Sequence, residues 1–279
     1  MSEEIKVNAK EFLTQLRQVS TAVAKTDFRP VLTMVHVRIK ENELIIEATD
    51  AHRLEQRRVN AEVPTGIIDK VFFLSEKFAK NISKSTTKLG KELTIIPGLA
   101  NENQKFVEPT KIVDKNGEIH IDEDFNPSYI STTFGENYYP ELDGLIPDTN
   151  KVSFKVKAAD LKKAVRDWKK LVKENDVEEA SANNLVVLKV GENVKFGGYK
   201  HFTELPVSEV NKEEELSIKF NFKYLFDAIK KLSNSDEITY LGSQDELKTG
   251  SRKNLSSSIS ISSAKAISVI LFVVRGFTP

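Results

Sequence analysis

The sequence predicts an α+β fold built from two copies of one domain, and three observations lead to this prediction. Four segments place apolar residues at helical spacing, and short runs of alternating apolar residues, typical of half-buried strands, lie between them. A strand-to-helix pattern also recurs: residues 5–9 are matched by residues 154–158, 149 positions later, and residues 73–78 by residues 220–225, 147 positions later. The near agreement of the two offsets favours an internal duplication.

The length and composition fit this organisation. A chain of 279 residues accommodates two domains of ordinary size, which we place at residues 1–150 and 151–279. Hydrophobic residues make up 39% and charged residues 29%, as in a globular protein, and no apolar run reaches the length of a membrane span. The absence of cysteine excludes disulfides and thiolate chemistry. Because no apolar signal region is visible at the N-terminus, we expect a cytoplasmic protein without a membrane partner.

Four helices are predicted, each with one apolar face. The first spans residues 8–25 with Asn8 as its cap, and the second spans residues 74–88 with Ser75 as its cap. The third spans residues 158–173 with Trp168 facing inward, and the fourth spans residues 221–231. The strands predicted around them are residues 31–39, 44–48, 70–73, 93–96, 185–190, 216–220, 237–241 and 267–274.

An irregular insertion is expected within the first copy. Residues 98–126 are rich in Asn, Glu and Lys, which predicts a surface loop or hairpin without legible function. The acidic run Asp122, Glu123 and Asp124 within it is interpreted as solvated loop rather than a magnesium site.

The charges are distributed unevenly although the chain is neutral overall. The four predicted helices carry sixteen basic and five acidic residues, a net charge of +11, so the strands and loops carry −11. A charged outer face is normal for any single helix, and that remains the simpler interpretation for each one alone. Four helices of the same sign, however, suit a protein that meets a polyanion on one face through phosphate contacts that read no sequence.

Three motifs in the first half carry a family resemblance. RPVLT at residues 29–33, ATDAHRL at residues 48–54 and YPELDGLIP at residues 139–147 resemble, in order and spacing, the middle domain of the bacterial DNA polymerase III β subunit, the β sliding clamp. FNFKYLFDA at residues 220–228 and FVVR at residues 272–275 are similar to its C-terminal domain. The resemblance covers two of the family's three domains and implies a clamp-domain fold with basic helices inside a ring and sheets outside.

The resemblance also implies a peptide-binding pocket at the junction of the two domains, with apolar floor residues for Leu or Phe anchors and a few polar groups. Two features depart from the family: Val273 replaces a proline, and residues 276–279 extend the terminus. The residues that match the family pocket are Leu32, Thr49, Ala51, His52, Arg53, Leu54, Pro140, Leu145, Ile270, Phe272, Val273, Val274 and Arg275.

The function implied is that of a non-enzymatic processivity factor. Its expected partners are double-stranded DNA, held without sequence specificity, and a DNA polymerase and clamp loader that bind through short linear peptides. Two domains per chain would close a six-domain ring as a homotrimer. The cations expected to face DNA are Arg17, Lys25, Arg29, Lys77, Lys80, Lys84, Lys88, Lys162, Arg166, Lys169, Lys173, Lys223 and Lys230.

Two rival hypotheses stay open at this point. The chain could instead be a clamp-like decoy that binds the same peptides without closing a ring. It could also be an enzyme centred on Asp50 and His52, although no nucleophile motif accompanies that pair. His52 and Arg53 could equally serve only to satisfy local backbone groups. No cofactor is expected, because phosphate-binding glycine motifs are absent and the four histidines lack metal-ligand spacing.

Overall fold

The computed structural model describes residues 3–26, 29–85, 89–133, 138–143, 152–174, 185–198, 201–212, 215–230, 232–247, 254–263 and 266–270. The chain divides into two compact units, Met1–Glu141 and Leu142–Pro279. The predicted boundary near residues 147–150 lies outside the described residues and stays a prediction. Both units mix helices with antiparallel sheet, as predicted for an α+β protein.

The first unit repeats one pattern of elements, a strand and a helix followed by three strands. The first half comprises β1 (Ile5–Asn8), α1 (Ala9–Val19), β2 (Met34–Ile39), β3 (Glu43–Thr49) and β4 (Leu54–Glu62). The second half comprises β5 (Val71–Ser75), α2 (Glu76–Ile82), β6 (Glu92–Ile96), β7 (Lys111–Val113) and β8 (Ile119–Ile121). Short 3-10 turns occur at Pro30–Thr33, Thr65–Ile67 and Pro127–Tyr129.

These eight strands form one antiparallel sheet in the order β5-β2-β3-β4-β1-β6-β7-β8. The two helices contact each other; α1 packs on β1, β3 and β4, and α2 on β2 and β5. Each helix begins at its predicted cap: the Asn8 side chain accepts a hydrogen bond from the backbone N–H of Glu11 at 3.0 Å, and Ser75 accepts one from Phe78 at 3.2 Å. The helices therefore start where the strands before them end.

The insertion is more ordered than the sequence suggested. Its β7–β8 hairpin extends the sheet beyond β6, and Phe106 is buried. Thr110, which is fully buried, accepts a hydrogen bond from the backbone N–H of Gly98 at 3.1 Å and donates one to the carbonyl of Phe73 at 3.3 Å. The hairpin alternative was correct, and the segment contributes Ile112 to the core of the first unit.

The second unit has a similar order of elements, with one additional strand in its first half, and forms two sheets. Its first half comprises β9 (Val152–Lys157), α3 (Ala158–Glu174), β10 (Leu185–Val190), β11 (Val194–Gly198), β12 (His201–Glu204) and β13 (Val207–Lys212). Its second half comprises β14 (Leu216–Asn221), α4 (Phe222–Ile229), β15 (Glu237–Leu247), β16 (Asn254–Ser263) and β17 (Ala266–Ile270). The sheets run β12-β11-β10-β14 and β13-β9-β15-β16-β17.

The core of the second unit is built around α3. Its apolar face buries Leu161, Val165, Trp168 and Val172. A side chain at Gly198 would place its Cβ 2.8 Å from the Trp168 ring, so only glycine allows β11 to approach the indole this closely. The tight contact between helix and strand fixes which side of α3 faces the solvent.

The predicted helix ends and several strands need correction. The first helix ends at Val19 rather than at residue 25. At this end the hydroxyl of Ser20 donates to the carbonyl of Leu16 at 2.6 Å. The second ends at Ile82, not residue 88, and residues 30–33 form a 3-10 turn instead of strand. Strand β4 was missed because the buried polar residues Glu55, Gln56 and Arg57 interrupt its apolar alternation, and β13 because most of its residues are polar and exposed. No helix in the described part of the chain is long and apolar enough to cross a membrane.

Candidate functional site

The exposed face of α3 carries the densest group of cations that the structure describes. Arg166, Lys169 and Lys173 are exposed, as the sequence predicted, and lie on the side away from Trp168. The sequence interpretation missed Lys163 and Lys170, which are also exposed. One acidic residue, Asp167, shares this face. The face is therefore strongly positive, as a surface that meets phosphates would be.

The prediction that Lys162 faces outward with these residues is wrong. Lys162 is 8% exposed, and its Nζ donates to the carbonyl of Leu232 at 2.5 Å and to Oδ1 of Asn234 at 3.3 Å. Position 162 precedes the exposed Lys163 and follows the buried Leu161, so a long side chain there turns back along the apolar face. Its ammonium group is hydrogen-bonded to the segment that follows α4 and is therefore not available to a partner.

Three other predicted DNA-facing cations are already paired. Lys77 lies 2.8 Å from a carboxylate oxygen of Asp124, in the insertion, and this partner raises the pKa of Lys77. Lys80 pairs with Glu76 one helical turn earlier, and Lys230 lies 2.5 Å from Asp227. Exposed pairs of this kind are weak and can exchange partners, so they reduce the positive potential without abolishing it.

The remaining predicted cations lie in several environments. Arg17, Lys25, Lys84 and Lys223 are exposed, and Arg29 is half-buried. Lys84 follows the end of α2 instead of lying within it. Lys88 lies outside the described residues.

The β3–β4 hairpin loop, residues 50–53, is held by hydrogen bonds that involve the side chains of Thr49 and Asp50. Oδ1 of Asp50 accepts hydrogen bonds from the backbone N–H groups of His52 at 3.2 Å and Arg53 at 3.1 Å, and its Oδ2 lies 3.1 Å from Arg53 Nε. Thr49 Oγ1 donates to the carbonyl of Arg53 at 2.7 Å and accepts from the N–H of Ala51 at 3.1 Å. Ala51 takes a φ of +64°, the left-handed conformation that such a turn demands.

Arg53 joins this loop to the end of α1. Its guanidinium donates to the carbonyl of Thr21, whose own hydroxyl donates to the carbonyl of Gln18 at 2.7 Å. The loop is therefore rigid on one side, while Ala51 and His52 are exposed at its tip. A fixed loop with an exposed tip is a suitable rim for a binding site.

The other predicted pocket residues of the first unit lie at different depths. Leu32 and Leu54 are 0% and 1% exposed, and Thr49 is 7% exposed, so a peptide could reach them only if covering side chains moved. Pro140 is half-buried. Ile270 is the last residue of β17, and Leu145, Phe272, Val273, Val274 and Arg275 lie outside the described residues.

A buried cluster beside Pro140 was not predicted. Glu47, 2% exposed, accepts hydrogen bonds from His36 Nδ1 at 2.7 Å and Gln56 Nε2 at 3.0 Å. Burial alone raises the pKa of Glu47, but His36, with Gln56 and Arg38, brings this pKa below its ordinary value of 4.5. The ring of Tyr139 stacks on His36 at 4.2 Å between centroids. The signal that could have found the cluster is a Glu and a His on neighbouring, mostly apolar strands.

The geometry around Asp50 argues against the catalytic alternative. Both of its carboxylate oxygens are engaged within its own loop, by two backbone N–H groups and the Arg53 side chain. A carboxylate held in this way organises a turn, and it accepts the backbone N–H of His52. The Asp50 carboxylate is therefore accounted for by the structure of the loop.

The structure also brings together Asp114, Glu118 and His120, whose potential ligand atoms lie within 4.8 Å of one another. Asp114 Oδ1 already accepts the backbone N–H groups of Asn116 at 2.8 Å and Glu118 at 3.0 Å. Although burial raises the pKa of Asp114, these bonds bring it below its ordinary value. The arrangement is that of a side chain closing the β7–β8 turn.

The sequence is similar to that of bacterial beta sliding clamps. Residues 6–122 match the family model described as DNA polymerase III beta subunit, central domain. The chain is 27% identical over 227 residues to the beta sliding clamp of Bacillus subtilis, covering 79% of this chain and 53% of that protein. It is 26% identical over 253 residues to the beta sliding clamp of Staphylococcus aureus, covering 86% and 58%. The chain thus spans little more than half the length of these relatives.

Solved structures share the fold over nearly the whole chain. The DNA polymerase sliding clamp of Bacillus subtilis superposes with a TM-score of 0.73 at 21% identity, covering 99% of this chain and 65% of that one. The DNA polymerase III beta subunit of Thermotoga maritima gives a TM-score of 0.69 at 18% identity, covering 99% and 67%. The α+β fold class and the resemblance inferred from the sequence are both confirmed.

Proposed function

We propose that this protein is a two-domain sliding clamp, because residues 6–122 match the family model of the DNA polymerase III beta subunit central domain and most of the chain is similar to beta sliding clamps. It would encircle duplex DNA, act without catalysis, and tether a DNA polymerase through a peptide site. The observation that carries the proposal is the exposed cationic face of α3 on a fold shared with clamps.

The DNA contact would be electrostatic and independent of sequence. Arg166, Lys169 and Lys173 stand on one exposed helix face, which suits contacts to phosphates rather than to base edges. A ring that encloses DNA needs no tight grip, because closure prevents dissociation while weak contacts allow sliding. The paired lysines Lys77 and Lys230 would contribute less than those on α3.

Ring closure requires that chains join through complementary surfaces. Two domains per chain predict three chains for a six-domain ring, by rotational symmetry. Edge strands supply such surfaces, because their unpaired N–H and C=O groups can accept a further strand. Among the described strands β8 is one such edge, and its Ile119 and Ile121 are 55% and 45% exposed.

The peptide site would be formed partly by the β3–β4 loop. Ala51 and His52 are exposed at its tip, Arg53 holds it in place, and Pro140 lies on the later segment that the family resemblance assigns to the pocket. Leu32 and Leu54 would support this rim from below and provide apolar surface once a peptide displaces the residues above them.

The proposal is tested by mass and by topology. Light scattering should give three times the 31.4 kDa chain mass. Protein loaded with a clamp loader onto nicked circular DNA should be retained in moderate salt and should be released when the circle is cut. Equal retention on linear DNA would contradict a closed ring. A monomeric mass combined with binding of polymerase peptides would favour the decoy hypothesis instead.

A further inference from the structure

We propose that Tyr139 is a positioning residue for the peptide site: its buried ring fixes the orientation of Pro140. This inference rests on the proposed function, since it assigns a role within the same site. Tyr139 is 6% exposed, whereas Pro140, the next residue, is half-buried. A buried side chain directly before a partly exposed one can determine how the second is presented.

The ring of Tyr139 contacts aromatic rings from two strands of the first unit. It stacks on His36 of β2 with 4.2 Å between centroids and 28° between planes, and it meets Phe73 of β5 edge-on at 6.0 Å. Phe106, from the insertion, contacts Phe73 edge-on at 5.2 Å and completes this aromatic group. Such contacts have preferred geometries, so the ring has one favoured position.

The position of His36 is fixed in turn by Glu47. The His36 Nδ1 to Glu47 Oε1 distance is 2.7 Å, and both side chains are at most 10% exposed. Gln56 holds the second carboxylate oxygen of Glu47 at 3.0 Å. A hydrogen-bonded network of this kind, away from solvent, keeps the imidazole plane in place as a platform for Tyr139.

The backbone transmits this constraint to Pro140. Proline restricts the residue before it to extended conformations and fixes its own φ near −65°. Once the Tyr139 ring is seated, few torsions remain that could reorient the pyrrolidine ring. Pre-arrangement of a binding rim improves affinity because less conformational freedom is lost when the peptide binds.

The phenol hydroxyl of Tyr139 is not needed to position Pro140. Its oxygen is buried and has no hydrogen-bond partner among the described residues. Burial accordingly raises the pKa of Tyr139 well above its usual range. Tyr139→Phe therefore keeps the stacking ring and is the matched control for Tyr139→Ala, and Tyr139→Leu retains apolar volume without a planar ring.

The experiment measures peptide affinity and local backbone protection in the full chain. A fluorescein-labelled synthetic peptide with adjacent Leu and Phe serves as the probe, read by fluorescence anisotropy. Hydrogen exchange of the Glu141 and Leu142 amides reports the order of the segment. We expect Tyr139→Ala and Tyr139→Leu to weaken binding by on the order of tenfold and to accelerate this exchange, while Tyr139→Phe matches the wild type.

The outcomes of these measurements distinguish a failure of the positioning role of Tyr139 from a failure of the proposed function. If the wild type binds the peptide and Tyr139→Leu binds equally well, the positioning role is overturned and the proposed function stands. If the wild type binds no such peptide, the peptide site of the proposed function fails, and the role assigned to Tyr139 in it fails too. Unchanged exchange at Glu141 in a folded Tyr139→Leu or Tyr139→Ala protein would overturn the anchoring step in either case.

Discussion

Asp122 accepts two hydrogen bonds from Ser75, one from the backbone N–H and one from the hydroxyl, both at 2.6 Å. Ser75 is the residue that caps α2, so an aspartate 47 positions away in the chain fixes the start of that helix. Asp122 is 1% exposed, and the interpretation of residues 122–124 as solvated loop is wrong at this position. Burial raises the pKa of Asp122 and outweighs the opposing effect of the Ser75 hydrogen bonds.

Replacement of Asp122 should destabilise the first unit. Asp122→Ala leaves the backbone N–H of Ser75 without its acceptor in a buried place, which costs about 1–3 kcal/mol of unfolding free energy. Urea denaturation at neutral pH measures this loss. Glu123→Ala, at an exposed neighbouring position, is the control and should change stability by less than about 0.5 kcal/mol. Equal stabilities for the two variants would contradict the capping role.

The buried Glu47 predicts a pH dependence of stability. Its folded-state pKa lies below the ordinary value of 4.5, so it stabilises the fold at pH values above 4.5 and loses that contribution as pH falls through the folded pKa. Glu47→Gln lacks this titration. The stability gap between wild type and Glu47→Gln, from urea titrations, should therefore be largest near neutral pH and should shrink below about pH 4. A gap that grows on acidification would contradict the assignment.

The sequence predicted the parts of the fold that depend on local pattern. Asn8 and Ser75 could be identified as caps because their side chains accept hydrogen bonds from N–H groups only three residues away. The apolar face of α3 followed in the same way from the spacing of residues such as Leu161 and Trp168. The candidate loop at residues 50–53 was found only through the family resemblance.

The features that were missed depend on contacts between distant residues. Nothing local to Asp122 indicates that Ser75 will meet it, and nothing local to Tyr139 indicates His36. Lys162 is a further example. Helical spacing places it at the border of the apolar face, where its side chain could point to the solvent or to the core, and the hydrogen bond to the carbonyl of Leu232 determines that it points to the core. Long-range pairing determines these positions, and a single sequence does not contain it.

The strained turn at Ala51 offers a stabilising substitution. Its φ of +64° is costly for a residue with a Cβ and free of that cost for glycine. Ala51→Gly should raise the unfolding free energy by a net amount of about 0.5–1 kcal/mol. This net value already includes the loss of stability that comes from the greater freedom of glycine in the unfolded chain. Thermal unfolding measures the change. Ala61→Gly, in the extended strand β4, is the control and should lower stability.

Substitutions on the cationic face of α3 should affect DNA binding without affecting stability. Lys169→Glu combined with Lys173→Glu should leave the unfolding free energy within about 0.5 kcal/mol of wild type, because both residues are exposed. The same pair should weaken DNA binding and reduce its dependence on salt concentration, since each lost phosphate contact lowers the slope of log K against log salt by roughly 0.9.

Lys162→Met is the matched variant on the same helix. It removes the donor to Leu232 and Asn234 and so should cost about 1–3 kcal/mol of stability, while the salt slope of DNA binding stays unchanged in the folded protein. Fluorescence anisotropy with labelled duplex DNA at several salt concentrations, together with urea titration, measures both effects. If Lys162→Met lowers the salt slope as much as the Lys169 and Lys173 changes do, α3 does not contact DNA through the face that the structure exposes.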